Sequence, residues 1–90
     1  MLLVSYDISN DKLRARFAKF LLKYGNRLQY SVYEIKNSKR VIENLKVKIE
    51  SYFAKSFEQS DSVFIFITGA SCEIIKYGYA KNEDSDLIII

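Results

Sequence analysis

Two features of this sequence could carry chemistry, a single aspartate near the N-terminus and a run of basic residues that follows it. Asp7 comes after an apolar segment in which Leu2, Val4 and Tyr6 occupy alternate positions. In a strand its carboxylate points away from that apolar row, where it is costly unless it is solvated, paired or bound to a metal ion. The residues alone leave two interpretations of Asp7, a polar residue that ends the strand or a ligand of a divalent cation.

The basic run is the second feature. Positions 12 to 33 contain six basic residues and no acidic one, although the whole chain has a net charge of only +3. Two of the six, Arg14 and Arg27, flank a stripe formed by the other four. The stripe residues recur at helical spacing and are Lys12, Arg16, Lys19 and Lys23. Such a stripe is either an ordinary solvated helix face or a surface that follows a phosphate backbone, and the absence of acids favours nucleic acid.

The residue types that are absent narrow the chemistry. The sequence has no histidine and one cysteine, Cys72, which excludes Ser-His-Asp and Cys-His catalysis, histidine acid–base chemistry, an intramolecular disulfide and a cysteine-based zinc site. Cleavage of a phosphodiester would therefore need a metal ion to activate water, or Asp, Glu, Tyr or Lys to transfer the proton. Cys72 itself is expected to be a small buried hydrophobic residue.

Hydrophobic periodicity predicts the elements that must position these side chains. We expect Ser9 or Asn10 to cap the first helix and Gly25 to end it. The extended segment 27–36 is either one strand or a hairpin that turns near Tyr30 and Ser31. The predicted strands span residues 2–8, 63–68, 73–78 and 87–90, and the predicted helices span residues 11–24 and 38–53.

The strand predicted at 63–68 is apolar on both faces, with Phe64 and Phe66 on one face and Val63 and Ile65 on the other. Helices cover only one side of a single antiparallel sheet, so something else must cover the second side. The apolar terminus at 88–90 would be an exposed edge unless it paired with another strand. A chain of 90 residues forms one domain, and we expect it to dimerise with facing sheets and exchanged tails at about 79–90.

The order of motifs gives this chain a family resemblance. A strand that ends in Tyr6-Asp7-Ile8 precedes a basic helix, and residues 25–35 then read Gly-Asn-Arg-Leu-Gln-Tyr-Ser-Val-Tyr-Glu-Ile. This arrangement resembles CRISPR-associated protein 2, the small dimeric protein that works with the CRISPR integrase in spacer acquisition. The resemblance implies an α+β, ferredoxin-like βαββαβ fold with a hairpin at Tyr30. It also implies an extra C-terminal strand that joins the partner's sheet in a homodimer.

The resemblance also assigns roles to the candidate residues. It implies that Asp7 from two copies lies near the dimer twofold, holds one Mg²⁺ and acts as the catalytic residue of a magnesium-dependent endonuclease on RNA or DNA. It further implies that the dimer bridges two CRISPR integrase dimers and holds duplex DNA, with single-stranded RNA as another substrate. The expected nucleic-acid-binding residues are Arg14, Arg16, Lys19, Lys23 and Arg27.

Two other functions also fit these residues. The chain could be a stand-alone toxin-type ribonuclease of related fold, or a small-molecule-sensing regulatory domain, although the latter usually has a glycine-containing loop after the first strand. Aromatic residues on the predicted sheet are more typical of a core or an interface than of an RNA-stacking platform. We expect a cytoplasmic protein with no membrane partner. No apolar stretch approaches the roughly 18–20 residues that cross a bilayer, and residues 1–4 follow no basic signal-peptide region.

Overall fold

Five antiparallel strands and two helices form the part of the chain that the computed structural model describes, residues 1–69 and 72–78. The second helix continues into a π-helical turn, Ile49–Phe53, and a 3₁₀ turn, Ala54–Ser56. The elements are β1 Leu2–Asp7, α1 Asp11–Leu22, β2 Gly25–Gln29, β3 Val32–Ile35, α2 Lys39–Lys48, β4 Ser62–Ile67 and β5 Glu73–Gly78. The strand order across the sheet is β2-β3-β1-β4-β5.

The first four strands and the two helices follow the predicted βαββαβ order, and β5 adds a strand beside β4. The α+β, ferredoxin-like prediction is therefore confirmed. The strand predicted at 87–90 and the tail predicted to exchange at 79–90 lie outside the described residues. Within residues 1–69 and 72–78, no helix has the length and apolar composition that crossing a bilayer requires.

One face of the sheet packs against both helices. Strand β1 directs Leu2, Val4 and Tyr6 into this layer, and all three are buried, as the alternation predicts. Helix α1 contributes Phe17, whose ring meets Phe53 edge-on with centroids 4.8 Å apart. Burial of one such aromatic side chain stabilises a fold by roughly 1.5–3 kcal/mol. The core therefore fixes α1 across the sheet and determines which side of α1 faces outward.

The opposite face of the sheet carries no helix. Ser5 and Leu3 of β1 lie opposite Phe64 and Phe66 of β4 in the strand register. The two phenylalanine rings stack with centroids 6.0 Å apart and an interplanar angle of 10°, and both side chains are only half-buried. The prediction that helices cover one side of the sheet is confirmed. We call this second side, with Phe64 and Phe66 at its centre, the open face.

The N-terminal end of the first helix agrees with the prediction, and its C-terminal end does not. Asn10 caps the helix, because its side chain accepts a hydrogen bond from the Leu13 N–H at 2.9 Å. The helix ends at Leu22 rather than at residue 24. Gly25 does not cap it but begins β2, where a Cβ atom would lie 2.0 Å from the carbonyl oxygen of Glu34. Glycine is required there for close strand approach and not for helix termination.

The remaining elements contain three further differences. The hairpin at Tyr30 and Ser31 is confirmed, but β2 begins at Gly25 instead of residue 27, and its register shifts between Arg27 and Gln29. The second helix was predicted as one element over 38–53, whereas it changes to a π-helical turn after Lys48. Cys72 is exposed, so its predicted burial is wrong. It precedes edge strand β5, which has a neighbouring strand on one side only among the described residues.

Candidate nucleic-acid interface

Three of the predicted basic residues and one further lysine line a single groove between the two helices. Arg16 and Lys19 project from α1, Lys23 follows its last residue, and Lys48 projects from the end of α2. The floor of this groove contains Phe20 and Phe53, and its volume is about 200 Å³. We call it the cation groove. Arg16, Lys19 and Lys23 thus share one surface with a cation from α2, whereas Lys12, the fourth residue of the predicted stripe, does not line this groove.

Tyr52 connects two of these cations. The Arg16 guanidinium donates a hydrogen bond to the Tyr52 hydroxyl at 3.5 Å, and the Lys48 ammonium lies 4.8 Å from the centre of the Tyr52 ring. Tyr52 lies in the π-helical turn Ile49–Phe53, and its side chain is 41% exposed.

No acidic residue lines the cation groove within the part of the chain that the structure describes. Four like charges on one surface repel one another, and an anionic ligand relieves that repulsion. Since these side chains reach solvent, salt screens the interaction over about 10 Å at 0.1 M ionic strength. The groove is therefore suited to a polyanion whose binding weakens as salt concentration rises.

Arg14 and Arg27 lie on a different surface from the cation groove. Together with Tyr6, Tyr30 and Tyr33 they line a second groove of about 180 Å³ between α1 and the β2–β3 hairpin. We call it the tyrosine groove. The five residues predicted to bind nucleic acid therefore lie on two surfaces. Three of them line the cation groove, and Arg14 and Arg27 line the tyrosine groove. Arg14 is separated from Lys23 because positions nine residues apart lie on opposite sides of an α-helix.

Both arginines of the tyrosine groove have partners within the chain. The Arg14 guanidinium donates a hydrogen bond to the Ile8 carbonyl at 3.0 Å and forms an ion pair with Asp11. The Arg27 guanidinium lies 5.6 Å from the centre of the Tyr30 ring, a cation–π arrangement. These contacts fix the two cations at opposite walls of the groove, and Asp11 lowers the net charge there.

Two stacked tyrosines form the inner end of this groove. The rings of Tyr6 and Tyr33 have centroids 6.1 Å apart and an interplanar angle of 28°. Burial, and then the neighbouring Tyr33, raises the pKa of Tyr6 to about 12. The Tyr6 hydroxyl therefore keeps its proton to a higher pH than an ordinary tyrosine, whose pKa is 10.0.

Asp7 lies at the end of β1 on the open face, as predicted. Its Cα atom is paired with that of Ser62 across the β1–β4 register, and its side chain is exposed. None of the hydrogen bonds and ion pairs among the described residues uses its carboxylate. Within residues 1–69 and 72–78, no three His, Cys, Asp or Glu side chains converge on one point. One chain therefore offers a single solvated carboxylate at this position.

Sequence reasoning missed two residues that shape these surfaces. Lys48 is far from α1 along the chain, and helical spacing places it on the opposite side of the second helix from Lys39 and Lys46. Asp61 is fully buried and accepts hydrogen bonds from the backbone N–H groups of Ser9 and Glu58. It fixes the loop that follows Asp7, and nothing in the local sequence distinguishes it from a loop aspartate.

The sheet topology, the open face and the basic helical surface together define a small ferredoxin-like α+β protein. Over residues 1–73 its sequence matches the family described as CRISPR associated protein Cas2. The chain belongs to this CRISPR-associated family, which confirms the resemblance seen in Tyr6-Asp7-Ile8 and in residues 25–35.

Full-length relatives agree with this assignment. The chain is 32% identical over 92 residues to the CRISPR-associated endoribonuclease Cas2 of Thermus thermophilus, with 97% of this chain and 95% of that protein covered. It is 35% identical over 92 residues to CRISPR-associated endoribonuclease Cas2 1 of Chloroflexus aurantiacus, with coverage of 98% and 97%. A relative from Methanospirillum hungatei, CRISPR-associated endoribonuclease Cas2 2, is 32% identical over 90 residues.

Proposed function

We propose that this protein acts in CRISPR spacer acquisition as a dimer that holds duplex DNA and bridges CRISPR integrase dimers. The observation that carries this proposal is the cation groove, in which Arg16, Lys19, Lys23 and Lys48 line one surface without an acidic residue among its described lining. Membership of a CRISPR-associated family supports the cellular process. It favours this function over a stand-alone toxin and over a small-molecule sensor.

Duplex DNA is the ligand that best matches the charge of the cation groove. A duplex presents one negative charge about every 1.7 Å along its axis, so cations spaced along two neighbouring helices can each meet a phosphate. Lysine and arginine contacts of this kind position the duplex without reading its sequence. The groove therefore supports binding that is independent of sequence, as expected for a protein that handles DNA of many origins.

The test is a salt titration of duplex binding. A variant that combines Arg16→Ala, Lys19→Ala and Lys23→Ala should weaken binding to every duplex sequence. It should also reduce the slope of log affinity against log salt by up to about three, since roughly one counterion is released per phosphate contact. A matched control combines Lys36→Ala, Lys39→Ala and Lys55→Ala, three exposed lysines outside the groove. The control removes the same number of charges and should preserve the slope.

The comparison of the two variants decides whether the cation groove or the overall charge governs duplex binding. If the groove variant and the control lower the slope equally, overall charge and not the groove governs binding, and the proposed duplex site is wrong. If the groove variant alone loses slope, Arg16, Lys19 and Lys23 bind the duplex as one surface. Lys48→Ala then provides an independent check, because this residue lies on α2 and was not part of the sequence prediction.

The open face supports the dimer part of the proposal. Phe64 and Phe66 stack there, and Leu3 and Ser5 lie beside them in the register, so the central strands present a largely apolar surface. A second copy of the chain would cover this surface, since apolar interfaces between like subunits follow twofold symmetry. Two helical sides would then face outward, each with its own cation groove, and such a dimer could hold one integrase dimer at each end.

A magnesium-dependent endonuclease activity through Asp7 is the second part of the proposal. An exposed carboxylate fits Mg²⁺, which binds through one or two carboxylates and keeps several waters. Two copies of Asp7 from facing sheets would provide such a pair, and a bound Mg²⁺ would supply an activated water and charge neutralisation at the phosphate. The relatives named endoribonucleases support RNA as a substrate class. Mg²⁺-dependent cleavage of single-stranded RNA and of DNA by the purified dimer tests this directly.

A further inference from the structure

The tyrosine groove differs from the cation groove in charge and in the aromatic surface that it presents. Its charged lining residues are Arg14, Arg27 and Asp11, so its net charge is far lower than that of the cation groove. Tyr30 projects from the hairpin turn with 67% of its side chain exposed. An exposed aromatic ring beside a moderate positive charge suits one nucleotide with an accessible base better than a continuous phosphate backbone.

The dimensions of the tyrosine groove also favour a single nucleotide as its ligand. Its volume of about 180 Å³ is below the roughly 300 Å³ at which pockets for drug-sized ligands begin. Ala15 and Ala18 of α1 form one wall, and their small side chains leave the space in front of Tyr30 open. The groove therefore has room for a single ring system with its immediate substituents.

The aromatic platform is held in place by the backbone. The Tyr6 N–H donates a hydrogen bond to the Ser31 carbonyl at 3.1 Å, which ties the hairpin turn to the end of β1. The register shift between Arg27 and Gln29 inserts Leu28 into β2, and a bulge of this kind redirects the side chains near it. Arg27 lies beside one side of the Tyr30 ring, and the high exposure of the ring leaves surface available for stacking.

We propose that the tyrosine groove binds one unpaired nucleotide of a single strand, with its base stacked on Tyr30 and its phosphate beside Arg27 and Arg14. Tyr6 and Tyr33, which are buried and stacked on each other, also line the groove and would meet the nucleotide through their rings. Because Tyr6 directly precedes Asp7, the nucleotide lies at the same end of the sheet as Asp7. This inference rests on the proposed nucleic-acid function and adds a single-strand site that is separate from the duplex site.

The first test uses substitutions at Tyr30 in the full chain. Tyr30→Leu should weaken binding of a short single-stranded oligonucleotide about tenfold, since base–aromatic stacking contributes at this level for each base. Tyr30→Phe should retain the parent affinity, because the ring remains. Leu28→Ala is the matched control, since it removes an exposed apolar side chain from the same hairpin outside the groove. Far-ultraviolet circular dichroism verifies that each variant is folded.

Ligand chemistry separates stacking from charge. An oligonucleotide with the same backbone but no bases should bind the parent and the Tyr30→Leu variant equally. Duplex affinity should be unchanged by Tyr30→Leu, because paired bases are unavailable, whereas the Arg16, Lys19 and Lys23 variant lowers it. RNA and DNA strands of one sequence are compared. If Tyr30→Leu weakens binding of both strands, the groove recognises the base alone. If it weakens binding of the RNA strand alone, the groove also recognises the 2′-hydroxyl.

Two further variants test the groove while keeping an aromatic ring at position 30. Ala15→Leu fills the groove from the helix side, uses a good helix-forming residue and should also reduce single-strand binding about tenfold. Tyr30→Trp introduces the only tryptophan of the chain, and its emission should be quenched by the oligonucleotide with bases and not by the one without.

The inference is overturned if single-strand affinity stays within twofold in both Tyr30→Leu and Ala15→Leu, or if the introduced indole is not quenched at saturation. In that case unchanged duplex binding would still leave the cation groove and the proposed function standing. Loss of duplex binding in the Arg16, Lys19 and Lys23 variant, with normal single-strand quenching, would support both sites as separate surfaces.

Discussion

The carboxylate of Asp61 holds the loop that contains Ser9, although 52 residues separate them in the sequence. One oxygen accepts hydrogen bonds from the Ser9 backbone N–H at 2.9 Å and from the Ser9 hydroxyl at 3.0 Å. The other oxygen accepts from the Glu58 N–H at 2.8 Å. Since Ser9 lies between Asp7 and the start of α1, this buried carboxylate positions the end of β1 relative to the basic helix.

Removal of the Asp61 carboxylate should therefore destabilise the fold. Asp61→Ala leaves two backbone N–H groups and one hydroxyl without their acceptor, and the free energy of unfolding should fall by about 3 kcal/mol or more. Asp61→Asn keeps one acceptor oxygen and should cost about half as much. Urea unfolding followed by circular dichroism measures both values. Asp11→Ala, which removes an exposed ion pair with Arg14, is the control and should cost under about 1 kcal/mol. Equal costs for Asp61 and Asp11 would contradict this role.

Gly25 is predicted to tolerate no side chain. A Cβ atom at this position would lie 2.0 Å from the Glu34 carbonyl oxygen and 2.7 Å from the Ile35 Cα atom. Gly25→Ala must therefore push β2 away from β3, and it should lower the free energy of unfolding by about 1–3 kcal/mol. At Gly69 no atom of the described residues lies within 4 Å of an added Cβ, so Gly69→Ala should change stability by less than about 0.5 kcal/mol. A similar loss in both variants would mean that strand approach is not the cause.

The elements of this fold were predictable where one physical pattern dominates. The alternation of Leu2, Val4 and Tyr6 predicts β1 and its buried face. The apolar residues on both faces of β4 predict the side of the sheet that no helix covers. The ends of elements were less predictable. The stop after α1 and the role of Gly25 depend on how closely β2 approaches β3, and that distance is a tertiary property that local helix-capping rules do not contain.

The candidate site was predictable only in part, for a related reason. Helical spacing grouped Arg16, Lys19 and Lys23 correctly, because these positions share one element. The partnership with Lys48 arises from the packing of α1 against the second helical segment, and the separation of Arg14 from the stripe arises from its position on the other side of α1. Asp61 gave no sequence signal because its partner Ser9 is distant along the chain.

Stability should fall at alkaline pH in a way that depends on Tyr6. Burial raises its pKa in the folded protein from 10.0 to about 12, so the unfolded chain loses the phenolic proton first. The contribution of Tyr6 is fully present below about pH 10 and is lost as pH rises toward 12. Burial and the hydrogen bond to Glu50 also raise the pKa of Tyr77, which contributes with the same sign.

Urea midpoints measured at several pH values from 9 to 11.5 check this prediction. The parent should lose stability with rising pH more steeply than Tyr6→Phe, which has no proton to release at this position. The comparison between the two proteins removes the effect of lysine titration, since both share the same lysines. Parallel curves would show that the Tyr6 hydroxyl titrates in the folded protein as it does in the unfolded chain.

The open face is predicted to be the dimer interface. Phe64→Thr combined with Phe66→Thr keeps two strand-favouring residues and removes both aromatic rings from this face. The dimer dissociation constant should rise about thirtyfold or more, as for loss of central interface aromatics, while the core on the helical side stays intact. Analytical ultracentrifugation measures the association. Val47→Thr, at an exposed position of α2, is the control, and equal weakening in both variants would place the interface elsewhere.

The last prediction separates an enzyme from a scaffold at Asp7. With no histidine in the chain, the proposed phosphodiester hydrolysis would use a metal-activated water, and Asp7 is an exposed carboxylate without partners among the described residues. Asp7→Asn preserves shape and removes the charge. It should reduce Mg²⁺-dependent cleavage of RNA or DNA by about a hundredfold or more, since even outer-shell partners of metal ligands account for ten- to a hundredfold. Dimerisation, duplex binding and spacer acquisition should remain largely intact, because the cation groove lies on the helical side of the sheet. Cleavage at the parent rate would exclude Asp7 as the ligand. Loss of acquisition in a variant that still dimerises and binds the integrase would instead refute the scaffold role.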